Sequence, residues 1–332
     1  PPVREERRVP YREETGGRPY RLPNGLYVEH FDKLQTDALY RLIFEDDTYL
    51  QHHVDLRPGD CVVDVGANIG LFSLHAWMRC PEIRLYAFEP APPAFAKLRA
   101  NLEGRATDAR LFEYALGGAE GHAEFLFYPG MAGMSGLRAD PDGDRRLARA
   151  VLNAHGTAVA TAADTLLEGR FDAQTYGCEV RPLSAVIAEL GLERIDLLKI
   201  DAEKSEEDVL DGIANDDWSK IRQLVVEVHD IEGRVARLAT QLETRGFRVA
   251  VDTEDDLGAA GLAMLYARHP ARDAEAAVSA SATAQPPAVA VAAPRLSVPA
   301  LREFLAGQLP AHMVPSVFVT LDALPLLPNG KA

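Results

Sequence analysis

The chain has 332 residues, 47% of them hydrophobic, and a formal net charge of -15. That length gives room for one domain of ordinary size plus a smaller unit, and the acid surplus argues against a nucleic-acid partner, which requires a face rich in lysine and arginine. No apolar run is long enough to cross a membrane, the Arg- and Glu-rich start carries no secretory leader pattern, and Cys61, Cys80 and Cys178 lack metal-type spacing, which together fit a reduced, cytoplasmic setting.

In chain order, residues 1–18 are polar and read as a linker. Tyr20 to His30 reads as a hairpin around Pro23-Asn24-Gly25. Thr36 to Glu45 has helical periodicity, with Leu39, Leu42 and Ile43 on one face. A strand–helix alternation follows: strand Cys61 to Val65, helix Leu71 to Arg79, strand Arg84 to Phe88, helix Pro92 to Leu102, strands Leu111 to Ala115 and Ala123 to Tyr128. Pro129 to Tyr176 interrupts it with a start rich in small residues, the composition of a binding loop or of a surface insertion. The alternation resumes with the apolar run Ile195 to Ile200, helix Glu206 to Ile213, strand Leu224 to Val228 and helix Gly233 to Thr244. Phe247 to Val251 and Leu262 to Tyr266 form a closing antiparallel pair. This order predicts an α/β domain with a mostly parallel, twisted sheet covered on both faces. Residues 270–295 are rich in Ala, Pro, Ser and Val and read as a second linker. Beyond them, 296–332 carries a short amphipathic helix and two Pro-bounded strand-like pieces, a small α+β unit separate from the domain at 19–269.

The chemistry centres on Val62-Val63-Asp64-Val65-Gly66-Ala67-Asn68-Ile69-Gly70-Leu71, an apolar strand running through a glycine turn into a helix. Such a turn places backbone N–H groups and a helix N-terminus near a nucleotide-like ligand. In a dinucleotide site the middle glycine of G-x-G-x-x-G admits a pyrophosphate. Here Asn68 stands at that position, and Asp64 would repel phosphate but suits an ammonium group, so the turn fits S-adenosylmethionine better than NAD. Glu89 ends the second strand about twenty residues on, where an acid accepts hydrogen bonds from ribose hydroxyls of either ligand.

Asp201 and Glu203 follow the buried strand, and Glu227 and His229 sit at the same end of the next one. If the acceptor is a hydroxyl, a base must take its proton; His229 has a suitable intrinsic pKa, and Asp201 or Glu203 can do the same or orient the acceptor. The same acids also suit helix capping, and His229 equally suits a core hydrogen bond. No local ligand spacing marks a metal site.

Val63 to Gly70, Phe88-Glu89-Pro90, Tyr114-Ala115-Leu116-Gly117 and Leu198-Lys199-Ile200-Asp201-Ala202-Glu203 together resemble the FkbM-type S-adenosylmethionine-dependent methyltransferases, from about Tyr20 to Arg268. The resemblance implies a Rossmann-like class I methyltransferase fold and would map Asp64, Gly66, Asn68 and Glu89 onto the cofactor site; Gly70 and Ala115 are expected on the same side, and Asp201, Glu203 and His229, from their place at the strand ends, on the catalytic side. It departs at Lys204-Ser205, which replaces the Gly-Ala of the family segment. The tail differs: Pro310-Ala311-His312-Met313-Val314-Pro315 and Leu327-Pro328-Asn329-Gly330-Lys331 resemble the end of a nonribosomal peptide synthetase adenylation domain, in which the lysine matching Lys331 reaches the acyl-adenylate. Without the adenylation core this chain is not expected to adenylate. The two resemblances together imply a methyltransferase embedded in an adenylation domain. Its acceptor would be a carrier-protein-tethered amino acid or a small molecule, and its partners the adenylation core and carrier domain. O-methylation follows from the family; backbone N-methylation and a non-catalytic structural insert are the alternatives.

Overall fold

The computed structural model describes residues 19–106, 108–154, 163–253 and 261–272. The segment 1–18, most of the 270–295 linker and the whole tail 296–332, Lys331 included, lie outside the described residues.

The first hairpin pairs strands β1 (Tyr20–Arg21) and β2 (Tyr27–Val28) across Gly25, which turns at φ +90. Helix α1 (Lys33–Tyr40) begins earlier than its apolar pattern, because Asp32 caps it by accepting a 3.0 Å bond from the Gln35 N–H. It continues as a π turn, Arg41–Glu45, and then a short 3-10 turn, Thr48–Leu50. The alternating core comes next: β3 (Cys61–Val65), α2 (Leu71–Arg79), β4 (Arg84–Phe88), α3 (Pro92–Leu102) and β5 (Ala109–Phe112).

The expected strand Leu111 to Ala115 divides. Phe112 and Tyr114 both lay their rings against Phe88, at 4.8 and 5.5 Å, while the backbone between them leaves the main sheet. Ala115 then opens β6 (Ala115–Leu116), which joins β7 (Gly121–Phe127) and β8 (Gln174–Arg181) in a separate three-stranded sheet of order β6-β8-β7. The stretch Pro129 to Tyr176 therefore links two strands of this small sheet, and it carries helix α4 (Pro141–Ala154). Leu126 and Gly136 form an isolated antiparallel bridge that folds the glycine-rich start of the stretch back onto β7. After β8 come α5 (Leu183–Leu190), β9 (Leu197–Ile200), α6 (Glu206–Asp211), β10 (Gln223–His229), α7 (Arg234–Thr244), β11 (Arg248–Asp252) and β12 (Leu262–Arg268).

Among the described residues the main sheet has seven strands in the order β11-β12-β10-β9-β3-β4-β5. Its five central and edge strands from β10 to β5 run parallel, and β12 inserts antiparallel between β10 and β11. This is the α/β arrangement that the strand–helix alternation predicts, with the expected closing hairpin.

Period-two alternation divides the sheet's residues between two cores. Val63, Val65, Leu198, Ile200, Val226 and Val228 pack against α5, α6 and α7. Val62, Leu197 and Val225 face α2, α3 and the N-terminal segment. Asp64, Lys199 and Glu227 share the parity of this second set, so the sheet itself puts three ionisable groups on its N-terminal-segment face.

Gly66 fixes the turn that ends β3. Its φ is +72, and a Cβ built there would lie 1.8 Å from the Asp201 carbonyl oxygen. Gly59 is also left-handed, at φ +81, but faces open space. Gly66→Ala is therefore expected to cost on the order of 3 kcal/mol or more, from backbone strain plus overpacking. Gly59→Ala should cost only about 1 kcal/mol of left-handed strain. Urea unfolding midpoints of the two variants test the difference.

Candidate active site

The sheet reverses its order between β3 and β9, and ligands of open α/β sheets bind outside the carboxyl ends at such a point. A cleft lies there. Its wall combines the turn Gly66 to Ile69, Glu89, the Tyr114-Ala115-Leu116 segment, Phe125, and the carboxylates Asp201, Glu203 and Glu227. Leu39, Leu42, Ile43 and Tyr49 close it from the N-terminal segment, and Ala132, Gly133, Ser135 and Leu137 from the glycine-rich loop.

At the cleft floor, register sets the buried Asp64 opposite Lys199, which lines the cleft, across β3 and β9. Asp64 is fully buried and is not in the cleft wall. Its carboxylate meets an ammonium, but that of Lys199, at 3.1 Å, and it accepts a 2.6 Å bond from the Ser73 hydroxyl. Lys199 also donates to the Gly66 carbonyl at 2.9 Å and stands 3.6 Å from Asp201. Burial works against its charge, yet Asp64 and Asp201 hold the ammonium above the ordinary lysine range.

The glycine turn spends its N–H groups inside the protein. Gly66 and Ala67 both donate to the Phe88 carbonyl at 3.0 Å, and Asn68 donates to Glu89 at 2.8 Å. Gly70 caps α2 in the left-handed region, pressed against Leu98, and lies outside the cleft wall. The polar surface left for a ligand is the Asn68 side chain, whose Oδ1 is buried without a partner, and Glu89. Glu89 takes one backbone N–H on each oxygen, from Asn68 and Ala91. Each oxygen keeps a free lone pair. Burial pushes its carboxyl up to about 7 against those two donors. Beside it Tyr114, Ala115, Leu116 and Phe125 form an apolar flank. Acceptors beside an apolar slot are what a ribose and a purine ring require, so the residues present fit an adenosyl group.

At the other end, Asp201, Glu203 and Glu227 bring one oxygen each within 4.8 Å of one another. Burial pushes Glu227 up to about 8, with Asp201 and Glu203 adding to it. Burial likewise pushes Glu203 up to about 7, while His229 pulls it down. His229 itself is clamped: Nε2 lies 3.2 Å from Glu203 and Nδ1 2.9 Å from Glu206. Burial opposes its charge, but the two carboxylates raise it to about 11. Both ring nitrogens thus face carboxylates, which favour the charged ring and fix its orientation. His229 is also absent from the cleft wall. Arg234 completes this outer layer, binding Glu206 at 2.7 Å and the Lys204 carbonyl at 3.0 Å. Glu203 and Lys204 turn the chain through φ +42 and +72, and Lys204 pairs with Asp144 of α4. Gly136 of the glycine-rich loop abuts this turn: a Cβ there would lie 3.0 Å from the Glu203 carbonyl oxygen.

Of the residues that the sequence singles out, the cleft wall thus collects Gly66, Asn68, Glu89, Ala115, Asp201 and Glu203, together with Glu227. Asp64, Gly70 and His229 stand behind it as supports. Tyr49 is not singled out by the sequence. Its hydroxyl lies 3.1 Å from Asp201 and 3.2 Å from Glu227, but a lone tyrosine between two short turns carries no periodic or motif signal.

Residues 64–249 match the family model of the methyltransferase FkbM domain. The chain is 43% identical over 235 residues to 31-O-demethyl-FK506 methyltransferase FkbM of Streptomyces tacrolimicus, covering 70% of this chain and 90% of that one. It is 38% identical over 324 residues to AMB antimetabolite synthetase AmbE of Pseudomonas aeruginosa, covering 93% of this chain but only 15% of the length of that relative. Among solved structures, the FkbM methyltransferase of Methylobacillus flagellatus aligns at TM-score 0.43 and 14% identity, over 72% of this chain and 56% of that one. With more than half its length matched by the family model and a relative covered almost end to end, the chain belongs to the FkbM family of methyltransferases.

Proposed function

We propose that the cleft transfers a methyl group from S-adenosylmethionine to an oxygen of an acceptor, and that this acceptor is an amino acid or intermediate tethered to the carrier protein of a nonribosomal peptide synthetase. The observation that carries this reading is that the clustered carboxylates Asp201, Glu203 and Glu227 open on the same cleft as Glu89 and the glycine turn. When bound, S-adenosylmethionine supplies an electrophilic methyl on a sulfonium, open to in-line displacement.

Glu89 accepts from the ribose hydroxyls, Asn68 offers its unpartnered oxygen, and Tyr114, Ala115, Leu116 and Phe125 enclose the adenine. The protein's remaining task is to align the acceptor and take its proton. A carboxylate whose pKa lies near the working pH is an efficient base, and this role falls to Glu227 and Glu203. Asp201 orients the acceptor, and the His229 imidazolium fixes Glu203 from behind. An oxygen acceptor is supported by relatives whose names specify it: the Streptomyces enzyme above, and 2-O-methyltransferase NoeI of Sinorhizobium fredii, 29% identical over 176 residues. The synthetase setting is supported by alignment with AmbE along 93% of the chain and with tyrocidine synthase 3 of Brevibacillus parabrevis, 38% identical over 97 residues. On this reading 19–269 is the methyltransferase, 270–295 the linker and 296–332 the returning end of an adenylation domain.

The deciding experiment incubates the chain with isotopically labelled S-adenosylmethionine and a panel of carrier-loaded amino acids, and locates the label by mass spectrometry. Label on an oxygen is expected; label on nitrogen would overturn the oxygen assignment, and a chain that binds neither S-adenosylmethionine nor S-adenosylhomocysteine would overturn the whole reading.

Calorimetry should give low-micromolar cofactor affinity, about 8 kcal/mol. Because an ionised carboxylate accepts hydroxyl protons more strongly than a neutral one, affinity should fall as pH drops through about 7, the value for Glu89. Glu89→Gln should weaken binding about tenfold at pH 8 and reduce this pH dependence.

The transfer rate should rise with pH and level off above about 8, as Glu227 ionises. A rate still climbing toward 11 would instead assign the base to His229.

A further inference from the structure

We propose that Tyr49 is a positioning residue for methyl transfer, delivered to the reacting end of the cleft by a segment that precedes the family-matched residues 64–249. The proposal rests on the methyl-transfer reading above and adds to it a part supplied from outside the matched core.

Tyr49 is 2% exposed, and its hydroxyl sits between Asp201 Oδ2 at 3.1 Å and Glu227 Oε2 at 3.2 Å. It is the protein group that spans these two carboxylates, which come from the ends of adjacent strands and otherwise repel each other. One O–H donated between them favours their ionised form and fixes the distance between them.

The surroundings of Tyr49 hold it there. Asp47 takes a left-handed φ of +52, and its carboxylate is pinned by His75 at 2.7 Å and Arg79 at 3.4 Å, both on α2. Leu50 N–H donates to the Asp47 carbonyl at 3.0 Å. On the other side the Tyr266 hydroxyl of β12 donates to the Thr48 carbonyl at 2.7 Å. The Tyr49 ring rests edge-on against Phe72, with centroids 5.3 Å apart, and the Lys199 ammonium lies 5.4 Å from its centre. Anchors on α2 and β12 thus aim one hydroxyl at the two strand-end carboxylates. The other ionisable groups facing that pair are Lys199 on β9 and Glu203 after it; His229 reaches them through Glu203, and Asp64 through Lys199.

The test uses the full chain and Tyr49→Phe, which removes one oxygen and keeps the ring against Phe72. With glutamate carboxyl carbons labelled with carbon-13, and Glu227 assigned through Glu227→Gln, NMR titration reads the Glu227 midpoint without an acceptor. Loss of the donated O–H should move that midpoint up by about one pH unit. With an acceptor from the panel above, kcat should fall about tenfold while acceptor KM and cofactor Kd change less than about twofold. A Glu227 midpoint that does not move, or a kcat equal to that of the unmodified chain, overturns the proposal. Absence of cofactor binding by the unmodified chain counts against the methyl-transfer reading instead, so the two failures are separable.

Discussion

The buried charge of Lys199 is the interaction on which the site depends. It lies in a strand with no other polar residue, and Asp64, Asp201, the carbonyls of the glycine turn and the Tyr49 and Phe72 rings make its burial tolerable. Removing one partner of such a pair costs about 3–5 kcal/mol, because the other is left charged in an apolar interior. The ion pair also has a geometric effect. It ties the end of β3 to the end of β9 at the point where the sheet reverses order, and so sets where the glycine turn and Asp201 stand relative to each other. Glu89 on one side of that point and the carboxylates on the other take their places from it.

Period two explains why these groups meet at all. Asp64, Lys199 and Glu227 alternate with Val63, Leu198 and Val226, so one sheet face becomes a continuous apolar core and the other collects charge toward the carboxyl ends. Two layers then share the work. Glu89, Asp201, Glu203 and Glu227 face the cleft, with Lys199 beside Asp201 at its floor; behind them His229 pairs with Glu203 and is held in turn by Glu206, which Arg234 binds. Burial raises three of the front carboxylates, Glu89, Glu203 and Glu227, toward neutral pH.

Much of the fold was legible because parallel strands buried on both faces read as apolar runs: Cys61 to Val65, Ile195 to Ile200 and Leu224 to Val228 stand out against any loop. The strand Gln174–Arg181 did not, since Cys178 is its one buried residue and its alternation is faint. The break after Phe112 was hidden because the apolar pattern continues through Ala115 while the backbone changes sheet. At the site, Glu89 and the post-strand acids were readable from their place at strand ends. Which of them face the ligand was not. Asp64 and His229 look like contact residues in the sequence, yet they are consumed by Lys199 and by two glutamates that only the folded chain brings near. The tyrosine that touches Asp201 and Glu227 belongs to a turn 152 positions from the first and 178 from the second, a separation no local pattern encodes.

The contact between Gly136 and Glu203 has a consequence for how such a cleft can diversify. A side chain at 136 would press on the backbone carbonyl of Glu203, which would have to yield by a few tenths of an ångström. Its neighbours Ser135 and Leu137 border the same cavity without that constraint. The cleft wall can therefore change shape through the flanking positions of one short loop while the backbone at Glu203 stays in place.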